Sequence, residues 1–185
     1  MRLFVSVDLA ELSEELAAIQ SPLCDLPGVR LIDPKDAHLT LKFLGDGPDG
    51  GHDLDALETA LCAAVADADC SPFDATFAGL GVFPSVEYIR VVWLGVDTGG
   101  EEVIRLHEAV ESRMTALGYE SERHAFTPHV TLARVDNAAA KEDVQRYVEA
   151  HDPEVGTLRI DDIRLTKSTL TPDGSVYETV STFEL

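Results

Sequence analysis

His38-Leu39-Thr40-Leu41 and, about half the chain later, His129-Val130-Thr131-Leu132 are the two stretches on which the reading of this sequence turns. Each follows a polar or turn segment and opens a run of β-forming residues. Side chains on a strand alternate between faces, so His and Thr of each stretch share one face and the two apolar residues the other. Leu39, Leu41, Val130 and Leu132 are thereby predicted to anchor two strands in a core, while His38, Thr40, His129 and Thr131 look into a shared cleft. With this composition, two His-x-Thr-Leu-type hits among the 6 histidines would arise by chance roughly once in a thousand, so the pair is a motif where a single copy would be read as a structural histidine.

Around these strands, strand and helix signals alternate. Strands are predicted over residues 3–9, 38–44, 73–83, 88–96, 129–135, 155–167 and 176–183. Helices are predicted over 11–19, 54–65, 101–117 and 138–150, the third stopped by Gly118. Glycine- and proline-rich turns fall at 45–51, 84–85 and 172–174. No Pro/Ser-rich linker divides the chain, so residues 1–185 are expected to form one two-lobed domain of the α+β class.

Of 185 residues, 45% are hydrophobic, which excludes a disordered chain. No apolar run is long enough to cross a bilayer, and the start Met1-Arg2-Leu3-Phe4-Val5-Ser6-Val7-Asp8 turns acidic too early for a signal peptide. A cytoplasmic protein is expected. Cys24, Cys62 and Cys70 are odd in number and lack a CxxC pair, so reduced, mostly buried thiols are expected rather than a disulfide or zinc framework. Asp plus Glu number 34 against 14 Lys plus Arg, a net charge of −20 scattered along the chain. Such a surface repels nucleic acid at ordinary salt and stays hydrated in strong salt; it reports a salt-loving environment more than a function.

Opening a cyclic phosphodiester needs one group to take a proton from water and another to give one to the leaving oxygen. Imidazole does either near neutrality. Threonine hydroxyls can hold the non-bridging phosphate oxygens between two such rings. Two histidines and two threonines lack the carboxylate or third imidazole usual in a catalytic metal site, so no metal and no cofactor is expected.

With its flanks, the sequence resembles the RNA 2′,3′-cyclic phosphodiesterases of the two-histidine (2H) phosphoesterase superfamily, the 2′-5′ RNA ligase or LigT-like family. The likeness runs from Arg2-Leu3-Phe4-Val5-Ser6-Val7 through His38-Leu39-Thr40-Leu41-Lys42-Phe43-Leu44-Gly45, Gly81-Val82-Phe83-Pro84-Ser85 and Val91-Val92-Trp93-Leu94-Gly95-Val96. It continues over Phe126-Thr127-Pro128-His129-Val130-Thr131-Leu132-Ala133-Arg134 and Ser168-Thr169-Leu170-Thr171-Pro172-Asp173-Gly174. The resemblance implies a bilobal fold of two pseudo-symmetric antiparallel sheets with outer helices and a central cleft. It implies His38 as proton donor to the leaving ribose oxygen, His129 as proton acceptor from water, and a 2′-phosphate product. Relatives often carry Trp where this chain has Leu31, which touches only the groove wall.

Arg134, three residues past Thr131, resembles the family arginine that would pair with phosphate. Strict alternation places Phe43 in the core; the resemblance implies a base-stacking ring at the groove. Lys42 falls on the His38/Thr40 face by alternation and is a further phosphate candidate. His124 is read as a loop residue; His52, His107 and His151 as surface residues; Lys167 and Ser168 as part of a turn. The expected partner is RNA ending in a 2′,3′-cyclic phosphate, or a small cyclic nucleotide, bound by a monomer. The same site could run 2′-5′ ligation in reverse. A non-catalytic RNA-end-binding module is the reading of a different class, disfavoured because binding alone needs no proton-transfer pair.

Overall fold

The computed structural model describes residues 1–172 and 174–185. Of the predicted final turn, Asp173 lies outside the described residues. The first strand, β1 (Arg2–Asp8), is buried continuously from Leu3 to Val7, as a strand covered on both faces must be. It lies between β3 (His38–Gly45) and β8 (Asp162–Thr171). The other strands are β2 (Val29–Leu31), β4 (Phe73–Ser85), β5 (Tyr88–Val96), β6 (His129–Val135), β7 (Glu154–Ile160) and β9 (Gly174–Glu184). The order is β7-β4-β5-β6-β3-β1-β8-β9, with β2 paired to β6 and every pairing antiparallel.

The two expected antiparallel halves are present: β3-β1-β8-β9 on one side and β6-β5-β4-β7 on the other. They are continuous rather than separate, because one bridge, Leu39↔Val130, joins the two motif strands. The sheet also curls. Six strand spacings of about 4.8 Å, roughly 29 Å, separate β7 from β8 along the sheet. Yet Asp161 alone connects them, a reach of about 7 Å. The two ends are therefore drawn together, and the Leu185 amide donates to the Asp161 carbonyl at that seam (2.9 Å).

Among the described residues, four α-helices cover the sheet: α1 (Ser13–Gln20), α2 (Leu54–Ala68), α3 (Gly100–Ala116) and α4 (Lys141–Ala150). α2 starts where the Asp53 side chain accepts from the Ala56 amide and buries Leu57, Leu61, Ala64 and Ala68, one stripe at helical spacing. α3 buries Val103, Leu106, His107, Val110 and Met114. These stripes meet Leu39, Leu41, Val130 and Leu132 in the main core, as alternation predicts. A smaller core under α4 joins Val144 and Tyr147 to Val92, Ala133 and Val135.

Three expectations change. Residues 155–167 are two strands, not one, and Asp161 carries the chain from one half of the sheet to the other. The three-residue β2 is too short to show a period. Cys24 and Cys62 are exposed, and only Cys70 is buried. Among the described residues, no helix is long and apolar enough to cross a membrane.

Candidate active site

The bridge Leu39↔Val130 fixes how the two motifs meet. Antiparallel register then sets His38 opposite Thr131 and Thr40 opposite His129. The arrangement has pseudo-twofold symmetry, each histidine beside the other motif's threonine. Diagonal neighbours on one face of such a pair lie about 7–8 Å apart, which leaves room for a phosphate between the imidazoles.

Alternation then breaks in both strands at the same place. In β3, Ser6 pairs with Thr40 but Val5 pairs with Lys42, so Leu41 is an extra residue. In β6, Trp93 pairs with Thr131 but Val92 pairs with Ala133, so Leu132 is extra. A bulge shifts the phase by one. Phe43 and Arg134 are thereby turned to the exposed motif face, and Lys42 and Ala133 inward. Each bulge carbonyl receives a buried side-chain donor from a helix: His107 Nδ1–H of α3 on Leu41 (2.8 Å), and Gln20 Nε2 of α1 on Leu132 (2.8 Å).

The imidazoles are oriented alike. His38 Nδ1–H donates to the Asp36 carbonyl (2.8 Å) and His129 Nδ1–H to the Thr127 carbonyl (2.7 Å), each two residues back. A carbonyl only accepts, so both rings carry the proton on Nδ1 and keep Nε2 available for proton transfer. Aromatic rings hold each in place. Phe4 (4.8 Å) and Tyr177 (5.2 Å) flank His38; Phe83 packs edge-on against His129 (4.9 Å), with Trp93 behind (6.1 Å).

Burial lowers both imidazoles below their ordinary range. For His38 the Asp36 carbonyl bond and the carboxylates of Asp36 and Asp8 pull upward, and Arg134 pushes down. For His129 only the Thr127 carbonyl opposes burial.

Two cavities adjoin the bridge. One of about 310 Å³ is lined by His38, Thr40, Thr131 and Arg134, with Phe4, Tyr177, Ser168 and Ser175. The other, about 480 Å³ and largely apolar, is lined by His129, Thr127, Phe83, Pro84, His124 and Phe126. Thr40 and Phe43 line both. Phe43 is 64% exposed, which corrects its alternation-based core position, and Arg134 makes no ion pair among the described residues.

Lys42 is a correction. Its side chain is 1% exposed, and its ammonium is bound to Glu111 Oε2 (2.5 Å) and the Glu120 carbonyl (2.9 Å), so it is not free for phosphate. His107 is likewise buried, not on the surface, and stacks on Phe126 at 3.9 Å. His52 is half-buried, held between Tyr119 Oη and the Met1 carbonyl. His124 and Ser168 reach cavity walls. Tyr177, Phe83 and Ser175 carry no local sequence signal of a role; only cross-strand register brings them to the site.

Fold and site together define an α+β protein built on a pseudo-twofold pair of His-x-Thr strands. The chain belongs to the 2′-5′ RNA ligase superfamily, whose family model matches residues 8–171. It is 34% identical to a protein of Archaeoglobus fulgidus named RNA 2′,3′-cyclic phosphodiesterase, over the whole of both chains (100% each). It is 33% identical to the protein of the same name from Methanothermobacter thermautotrophicus (100% and 99% of the two chains). The fold matches the crystal structure of TT0787 of Thermus thermophilus with a TM-score of 0.76 at 28% identity, covering 100% and 98% of the chains.

Proposed function

We propose that this chain hydrolyses the 2′,3′-cyclic phosphate at the end of an RNA or on a nucleotide, without a metal, and leaves a 2′-phosphate. The observation that carries this reading is the pair of imidazoles fixed through Nδ1–H to backbone carbonyls, each set beside the opposite motif's threonine. His129 takes a proton from water as the water oxygen attacks phosphorus. His38 gives its proton to the departing ribose 3′-oxygen. Thr40 and Thr131 donate to the non-bridging oxygens, and Arg134 offsets their charge. The choice of His38 as acid is supported by the carboxylates of Asp36 and Asp8, which oppose the burial and the Arg134 charge that lower it, whereas at His129 the Thr127 carbonyl opposes burial. The names of the two full-length relatives support the same substrate class.

One observation favours a second use of the site. The cavity beside His129 is far larger than a water needs and walled by Phe43, Phe83 and Phe126. The 5′-hydroxyl of a second RNA end there would replace water as nucleophile, with its proton passing to His129 and the 3′-oxygen leaving protonated by His38, and give a 2′-5′ linkage. The test is incubation with RNA ending in 2′,3′-cyclic phosphate, in high salt and excess chelator, with identification of the product. A 2′-phosphate is expected, with none formed by His38→Ala or His129→Ala. Turnover by either variant, or loss of activity in chelator restored by zinc or manganese, would overturn the mechanism.

A further inference from the structure

Among the described residues the two motif strands share a single bridge, so that pairing alone leaves the His38–His129 geometry loosely held. What else ties them is on one face of α3. His107 and Glu111 stand one helical turn apart and point the same way. Each touches both motif segments. His107 donates to the Leu41 carbonyl at the first bulge and stacks on Phe126, three residues before His129. Glu111 accepts from Lys42 of the first motif strand through Oε2, and through Oε1 from the Glu122 amide (2.8 Å) in the segment that leads to the second motif. Lys42 itself bonds the Glu120 carbonyl of that segment.

We infer that His107 and Glu111 of α3 and Lys42 of β3 are positioning residues, a bracket that sets the spacing of the two catalytic histidines. None of the three is assigned contact with phosphate. Burial pushes the Glu111 carboxyl up, but the bonds from Lys42, the Glu122 amide and Ser121 outweigh it and hold it below the usual carboxylate range, so Glu111 is ionised at neutral pH. The equivalent bulge in β6 is held by uncharged Gln20, so the charged half of the device belongs to the first motif only.

The inference rests on the proposed hydrolysis, and the test separates the two. Wild-type turnover of the RNA cyclic phosphate tests the reaction; the ratio of variant to wild type tests the bracket. Lys42→Met and Glu111→Gln should each lower kcat about 10–100-fold, as a misplacement near 1 Å does, with a much smaller change in KM. The double variant Lys42→Met/Glu111→Met removes the buried charges together and should regain the wild-type melting temperature, but not kcat. His107→Gln keeps a donor to Leu41 and should retain most activity, whereas His107→Leu should lose it. NMR titration of the His38 and His129 imidazoles gives a readout independent of turnover, and both midpoints should move in the double variant. Recovery of kcat along with stability in the double variant, or unmoved imidazole titrations, would overturn the bracket and leave a purely structural ion pair.

Discussion

Gly81→Ala tests how His129 is held without touching any group that takes part in chemistry. A Cβ at residue 81 would stand 2.1 Å from Cζ2, 2.4 Å from Cη2 and 2.5 Å from Cε2 of Trp93, where ordinary contact begins at 3.4 Å. The indole must therefore move by about 1 Å. Its buried Nε1–H has no partner among the described residues, so no hydrogen bond opposes the shift. The displacement passes to Phe83, whose ring lies 5.1 Å from Trp93 and 4.9 Å from His129. Overpacking of this kind costs about 1–3 kcal/mol. At about 2.1 cal/mol/K per residue, 185 residues give an unfolding entropy near 0.4 kcal/mol/K, so the melting temperature should fall by about 3–8 °C. If His129 moves with the stack, kcat should drop about 10–100-fold. Trp93 is the only tryptophan, so its emission reports the shift directly beside the kinetic assay. An altered emission spectrum with full kcat would refute the claim that the Trp93–Phe83 pair positions His129.

Three further outcomes follow from the site. Burial lowers both His38 and His129, and the reaction needs one neutral and one protonated, so the bell of kcat/KM against pH should be displaced to the acid side of imidazole's ordinary value; an optimum on the alkaline side would contradict the burial of the rings. Phe43→Ala removes an exposed ring shared by both cavities, so KM should rise about 5–100-fold at one stacking contact, while melting temperature stays unchanged; a fall in stability would mean that Phe43 serves the core after all. With a net charge of −20, thermal stability should increase with salt as self-repulsion is screened, and a melting temperature indifferent to molar salt would remove the environmental reading of the acidity.

Much of the site was legible because alternation is a local property. His38 with Thr40, and His129 with Thr131, share a face for the same reason that Leu39, Leu41, Val130 and Leu132 reach the core. Alternation failed one residue later, at Lys42 and Phe43. A bulge is decided by the register of the neighbouring strand, here β1, which no local window contains. The same blindness hid the aromatic neighbours: Tyr177 meets His38 only because β8 pairs with both β1 and β9. The break at Asp161 was hidden because apolar alternation runs on either side of it, and only the curl of the sheet requires the chain to change halves there.

Local patterning sufficed for the two His-x-Thr strands, their inward and outward faces, the α+β order of elements and the acidic surface. These depend on side-chain period and composition, which are carried residue by residue. It took the packed fold to make the strands meet at Leu39 and Val130, to bring Phe43 and Arg134 to the groove through paired bulges, and to withdraw Lys42 into an ion pair with Glu111. Those outcomes depend on which distant segments lie alongside one another, and pairing register and burial are properties of the packed chain, not of any stretch within it.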